Sequence, residues 1–235
     1  MAGIYKATPI RQLETETFIP PLATYLNRRV AAYHLRQENS NVRVEIHQTC
    51  NKIRGRLLGR RRKASPPTPA VAKEAWAKRW RGEAQTKEEL DKIMLQEWQD
   101  QWKVTQPARG QQNTRPPDPE VLKLHQGLHK AESSVLIQAR TEKIRLAKFL
   151  YQRKVPGVIT DQCTCGAGPE TVQHVVEYCN RETERRDQIR RKDAIESLDF
   201  RWLSNTNKGA KRLSKWLIQG GRLQQFSLAN TLLYG

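Results

Sequence analysis

The segment 163–179, Cys163-Thr164-Cys165-Gly166-Ala167-Gly168-Pro169-Glu170-Thr171-Val172-Gln173-His174-Val175-Val176-Glu177-Tyr178-Cys179, constrains this chain more than any other. It carries three of the four cysteines and one of the five histidines, spaced C-x-C-x8-H-x4-C. Thiolates and an imidazole are the ligands a tetrahedral Zn²⁺ prefers, and four of them close the shell without an open catalytic position. Cys163 and Cys165 flank a tight turn, and Gly166 and Gly168 can adopt the positive φ values that curl backbone around an ion. Pro169 suits a first helical residue, with Glu170 in the first turn and His174 one turn on. Five further residues of ideal helix would carry Cys179 roughly 140° away from His174, so the helix is expected to end or loosen there, with Asn180 as its stop. The alternatives are a strained Cys163–Cys165 disulfide, a bridge to Cys179 that leaves an odd cysteine, or three small buried thiols.

The rest of the composition bears on partners. The chain has 235 residues, 42 Lys and Arg against 24 Asp and Glu, and a formal net charge of +18. Such a surface attracts polyanions, and counterion release makes its affinity for nucleic acid salt-sensitive. An anionic membrane is the competing partner, but no apolar run approaches the ~18 residues of a spanning helix. The first residues lack the apolar core of a signal peptide, and few cysteines suit a reducing compartment, so a nuclear or cytoplasmic, non-secreted chain is expected. The apolar fraction of 37% and mean hydropathy of −0.79 predict modest cores joined by exposed segments.

Apolar spacing predicts a mainly α fold of helical hairpins and proline-rich linkers, with a small zinc-binding turn-helix element. Three regions are expected: 1–63, a helical segment ending in a basic run; 64–118, proline-flanked with a tryptophan hairpin; and 119–235, a helical C-terminal domain. Residues 1–19 read as irregular. Helices are predicted over 22–38 and 42–58, the second holding Cys50 as a lone buried thiol, then over 70–81 and 86–104. Thr86 and Glu89 form a capping box. Trp76/Trp80 and Trp98/Trp102 are i, i+4 pairs that pack the hairpin or, less simply, stack bases. Helical patterns return after Asp118. His125 and His129 share a face but belong to no zinc-protease pattern, and read as core or surface histidines. A charged helix is predicted over 181–196, and a final pair over 208–219 and 222–233.

Two cationic clusters are candidate phosphate contacts. Lys52, Arg54, Arg56, Arg60, Arg61, Arg62 and Lys63 place seven charges within twelve residues, which reads as a nucleic-acid patch, a nuclear-import signal or a solvated basic tail. Arg181, Arg185, Arg186, Arg190 and Arg191 lie on the helix beyond the cysteine cluster. Catalytic chemistry has no counterpart here. The sequence contains no adjacent aspartates to hold two metal ions for nucleotidyl transfer, no Walker-type loop and no Gly-x-Ser-x-Gly elbow.

These residues resemble the C-terminal part of the polyprotein of fungal Tad-like non-LTR (LINE-type) retrotransposons. Ala2 to Ile10 and Pro20-Pro21-Leu22 are similar to the segment following the reverse transcriptase domain. Ser133-Ser134, Gln138-Ala139-Arg140-Thr141-Glu142-Lys143-Ile144, Phe149-Leu150 and Lys154-Val155-Pro156-Gly157 resemble the run before the terminal cysteine cluster. Cys163, Cys165, His174 and Cys179, with Glu170-Thr171, match the family's CCHC motif, and Gln225-Phe226-Ser227-Leu228-Ala229 is similar to the family's end. The chain departs from the pattern at Glu142, where the family commonly has glycine after Arg-Thr, and lacks the polymerase and ribonuclease H domains. The resemblance implies a zinc-knuckle-like, non-catalytic segment that binds RNA or DNA with low sequence specificity, within a retrotransposon ribonucleoprotein. The alternative is a structural or protein-interaction remnant whose zinc only staples the fold.

Overall fold

A computed structural model describes residues 8–37, 45, 48, 49, 52, 53, 83–104, 115–193 and 198–235. Among these the fold is mainly α, as predicted, with one isolated antiparallel bridge, Gln162 to Pro169, in place of any strand. The expected helix over 70–81, Trp76, Trp80, Cys50, the 64–69 connector and most of the 106–119 connector lie outside the described residues.

The backbone forms two compact units. In the unit spanning 20–106, α2 (Leu22–Gln37) packs on α3 (Lys87–Val104). Pro21 precedes α2, its carbonyl accepting from Tyr25 N at 3.0 Å. The capping box at the start of α3 is complete: Glu89 N donates to Thr86 Oγ1 and Thr86 N to Glu89 Oε2. Ala31, Ala84 and Leu90 form the buried centre, and Arg28 Nε donates to Asp91 at 2.7 Å on its margin. Trp98 is buried, in line with a packing role.

The other unit joins residues up to 19 with 107–235. Its helices are α1 (Ile10–Thr17), α4 (Val121–Leu124), α5 (Lys130–Arg140), α6 (Ala147–Gln152), α7 (Thr183–Asp193), α8 (Phe200–Asn205), α9 (Asn207–Gln219) and α10 (Ser227–Tyr234). Amphipathic α9 is the centre: Ala210, Leu213, Leu217 and Ile218 bury one face against Leu136 and Ala139 of α5 and the wall around Val175. Asp199 caps α8, accepting from Arg201 N at 2.8 Å, and Thr206 caps α9, accepting from Gly209 N at 3.0 Å. The α8–α9 corner requires glycine at 209, because a Cβ there would stand 2.7 Å from Leu203 Cα and Trp202 O.

Residues 1–19 were expected to be irregular, and α1 corrects that expectation. Pro9 O accepts from Gln12 N and Leu13 N, and Phe18, at φ 52, ends the helix. Its buried face is polar: Gln12, Thr15 and Glu16. Glu16 faces Arg140 of α5 in a bidentate pair, with side chains 8% and 6% exposed, and Arg140 also donates to Ser204 O and Asn205 Oδ1. One buried guanidinium thus ties α1, α5 and α8 together. Two residues on, Glu142 takes φ 56, the left-handed region that favours glycine.

Two expected outcomes follow from this wiring. Glu16→Ala leaves Arg140 charged and buried, and lowers the unfolding free energy by about 3–5 kcal/mol in denaturant titration. Glu142→Gly relieves the left-handed backbone and raises it by about 1 kcal/mol, read as an upward shift in Tm.

Candidate metal centre

The cluster is assembled by a short turn and an unusual helical turn. Cys163 N donates to Gly168 O at 2.8 Å and Gly166 N to Cys163 O at 2.9 Å, with Gly166 at φ 77 and Gly168 at φ 146. These bonds close the loop that presents Cys163 and Cys165. Pro169 does not begin a helix, as the sequence had suggested; it pairs with Gln162 across the bridge that zips the loop shut. The helix starts after Thr171, whose Oγ1 accepts from His174 N at 2.9 Å. Closing the loop takes the chain up to Pro169, and proline's missing N–H costs nothing at an isolated bridge.

Residues His174–Tyr178 form a π turn. Cys179 N donates to His174 O at 2.7 Å, the i→i+5 bond of that geometry, and Cys179 itself is extended at φ −62, ψ 118. The expected loosening therefore takes a specific form. A wider turn carries five residues through little more than one revolution and returns Cys179 to the side of His174. Asn180 is not a stop but opens a 3₁₀ turn, Asn180–Glu182, that leads directly into α7.

The result is one compact donor set. The ligand atoms of Cys163, Cys165, His174 and Cys179 all lie within 4.8 Å of one another. Cys163 Sγ and Cys179 Sγ are 3.7 Å apart, and Cys165 Sγ is 3.1 Å from His174 Nε2. A tetrahedron with ~2.3 Å metal–sulfur arms has edges of roughly 3.8 Å, so these four residues can hold a metal ion. The cysteines are free thiols, which sets the disulfide alternatives aside. Cys163, Cys179 and His174 are buried and Cys165 is half-buried, so the cluster reaches solvent on the Cys165 side. Burial pushes the Cys163 thiol up to about 11, whereas the Ala167 N–H directed at its sulfur leads the fall of Cys165 to about 6. Metal loading near neutral pH therefore displaces a proton from Cys163, and acid opposes it.

A residue the sequence had not flagged completes the site. Arg222, after the Gly220-Gly221 turn, directs Nη2 at Cys179 Sγ (3.5 Å) and Nη1 at Cys163 Sγ (3.9 Å). The same guanidinium donates to Glu170 Oε1 at 2.6 Å and to Glu182 Oε1 at 2.8 Å. Glu170 Oε2 in turn accepts from Ala147 N at 2.7 Å. Glu170, expected in a helical first turn, instead anchors this network. Burial works against the charge on Arg222, but Glu182, Glu170 and Cys179 outweigh it and hold the guanidinium above its ordinary range. No sequence signal short of the fold links Arg222 to cysteines more than forty residues away.

The candidate phosphate contacts separate in the structure. Arg181 is exposed and donates to Thr164 Oγ1 at 2.7 Å, joining the entry to α7 to the cysteine loop. Arg190 and Arg191 are exposed, Arg190 lying 3.5 Å from Asp187. Arg185 turns inward: it donates to Glu182 at 2.6 Å and to Trp216 O at 2.7 Å and stacks over the Trp216 ring at 4.6 Å. Arg186 is buried, 6% exposed, and donates to Thr183 Oγ1 at 3.1 Å. Lys52 is exposed, while Arg54, Arg56, Arg60, Arg61, Arg62 and Lys63 lie outside the described residues. Among the described residues His125 and His129 join no metal-competent group; burial lowers the His125 pKa, and His129 N donates to Glu132 at the start of α5.

No family model matches the chain, and neither a curated protein nor a solved structure matches it significantly. Among the described residues no helix is long and apolar enough to cross a membrane.

Removing the guanidinium while keeping bulk tests its hold on the cluster. Arg222→Met is expected to weaken metal affinity by about 10–100-fold, measured by competition with a chelating indicator, and Arg222→Lys by less.

Proposed function

We propose that this chain is a non-catalytic, zinc-stabilised nucleic-acid-binding segment of the kind found at the C-terminus of non-LTR retrotransposon polyproteins. The observation that carries it is the closed Cys₃His donor set on a chain of net charge +18. Three sulfurs and one nitrogen within 4.8 Å of one another suit Zn²⁺ better than harder cations, and a shell closed by protein ligands suits a structural ion. Cys163, Cys165, His174 and Cys179 would hold it. Zinc supplies the cross-link that fixes the loop to the π turn.

The retrotransposon assignment is supported by the CCHC spacing and by backbone at Glu142. That residue stands where the resembled family commonly has glycine, and its φ of 56 is a conformation glycine takes freely. RNA or single-stranded DNA is the ligand class, bound mainly through phosphates and so with little sequence preference. Arg181, Arg190 and Arg191 beside the zinc element, with the basic run at 52–63, are the proposed contacts. The enclosure of Arg185 and Arg186 favours a second reading, in which the zinc element chiefly staples the C-terminal unit.

Elemental analysis of the purified chain is expected to give one zinc per molecule. Chelation should abolish the near-ultraviolet circular dichroism of the C-terminal unit. Affinity for a mixed-sequence single-stranded RNA should fall steeply between about 50 and 200 mM salt. Zinc-loaded protein that shows no RNA binding at low salt would leave the staple reading in its place.

A further inference from the structure

Part of the charge on α7 is spent within the fold. Five cations in that helix stand against Glu184, Asp187 and Asp193, and two of the five are turned inward. Helix α9 is different. Its sequence, Asn207–Gln219, contains Lys208, Lys211, Arg212 and Lys215 and no carboxylate. At 100° per residue these four fall within an arc of about 100°, opposite the buried Ala210, Leu213 and Leu217. Lys208, Lys211 and Lys215 are exposed, and none makes an ion pair among the described residues.

Aromatic rings border this stripe on two sides. Arg212 lies over the Trp202 ring at 5.7 Å, and Trp202 is 36% exposed. Lys215 Nζ lies over the Tyr234 ring at 5.0 Å. The scaffold beneath is fixed: the apolar face is packed in the core, and Asn207 Nδ2 donates to Lys123 O and Gln126 O at 2.6 and 3.2 Å. The lysines thus project from backbone whose ordering has already been met by folding, so binding has only their side chains left to order.

We propose that the solvent face of α9 is the docking surface for a single nucleic-acid strand, with phosphates on Lys208, Lys211 and Lys215 and a base stacked at Trp202. This deepens, and rests on, the nucleic-acid-binding reading. Lys208 to Lys215 spans about 10 Å of helix rise, and the long lysine stems widen the reach of the three ammonium groups along a flexible strand. An exposed ring among cations favours unpaired bases, whose faces are free to stack. An anionic membrane fits less well, because a helix lying in a lipid surface needs its apolar face, and that of α9 is committed to the core.

The test uses the full-length zinc-loaded chain, a fluorescein-labelled mixed-sequence single-stranded RNA, and anisotropy at several salt concentrations. Lys208→Gln/Lys211→Gln/Lys215→Gln is expected to make the log–log salt slope shallower by about 2 and to lower affinity about 100-fold at 0.1 M salt. Trp202→Leu should lower affinity roughly 5–100-fold with the slope unchanged. Arg190→Gln/Arg191→Gln on α7 should change the slope by less than the triple variant does. Zinc content and helical circular dichroism check that each variant is folded. If the wild-type chain binds with a steep salt slope and the folded triple variant matches it, this surface is wrong while the proposed function stands. If the wild-type chain does not bind RNA, both fall. A triple variant that loses only its binding to phosphatidylserine vesicles, and keeps RNA, overturns the assignment in favour of lipid.

Discussion

The C-terminal unit depends on how its charges are neutralised out of water. Three thiolates around a divalent cation would leave one net negative charge, in a cluster whose Cys163 and Cys179 are buried. Arg222 is the cation that faces both of those sulfurs, and Glu170 and Glu182 hold its guanidinium from the other side. Each partner comes from a different piece of chain: the loop after Cys163, the 3₁₀ turn before α7, and the segment after α9. Glu170 also holds the first N–H of α6, and Glu182 also receives Arg185, which stacks on Trp216 of α9. Removing one group from such a network exposes the others to a desolvation cost of several kcal/mol. The Cys₃His cluster is therefore wired to the helical core and is not an appended knuckle.

The π turn makes that wiring possible. An α turn through 174–178 would point His174 and Cys179 in different directions and leave only three donors together. Widening the turn costs hydrogen-bond geometry, and the closed donor set compensates for it. The same turn sends Cys179 straight into the 3₁₀ segment, which places Glu182 under Arg222. Loop, π turn and α7 entry act as one device, and Arg181 on Thr164 fastens it once more.

How much of this was legible in the sequence varied with the kind of signal. The four ligands were legible because cysteine and histidine at that spacing have few other uses. Helix α3 was legible because Thr86 and Glu89 form a local cap, and α2 because two prolines precede an apolar stripe. Helix α1 was not legible, since its inward face is Gln12, Thr15 and Glu16, and a polar face satisfied by a distant arginine carries no apolar period. α8 was missed because six residues give no period at all. Arg222 was missed because a cation at the end of a glycine turn looks like any solvated arginine until the fold brings the sulfurs to it.

The arginines of α7 show why charge counted along a sequence overstates charge available to a partner. Arg185 and Arg186 look identical to Arg190 and Arg191 in the chain, yet Arg185 reaches Trp216 O and Arg186 is buried on Thr183, while Arg190 and Arg191, further along the same helix, are exposed. The lysines of α9 are spread among apolar residues and form no run, so a search for clusters passes over them. Periodicity explains α9: cations at i, i+3, i+4 and i+7 share one face, opposite the apolar one, whereas consecutive charges point to several faces. A stripe assembled by the 3.6-residue repeat is therefore a better electrostatic platform than a longer run of consecutive charges on the same helix.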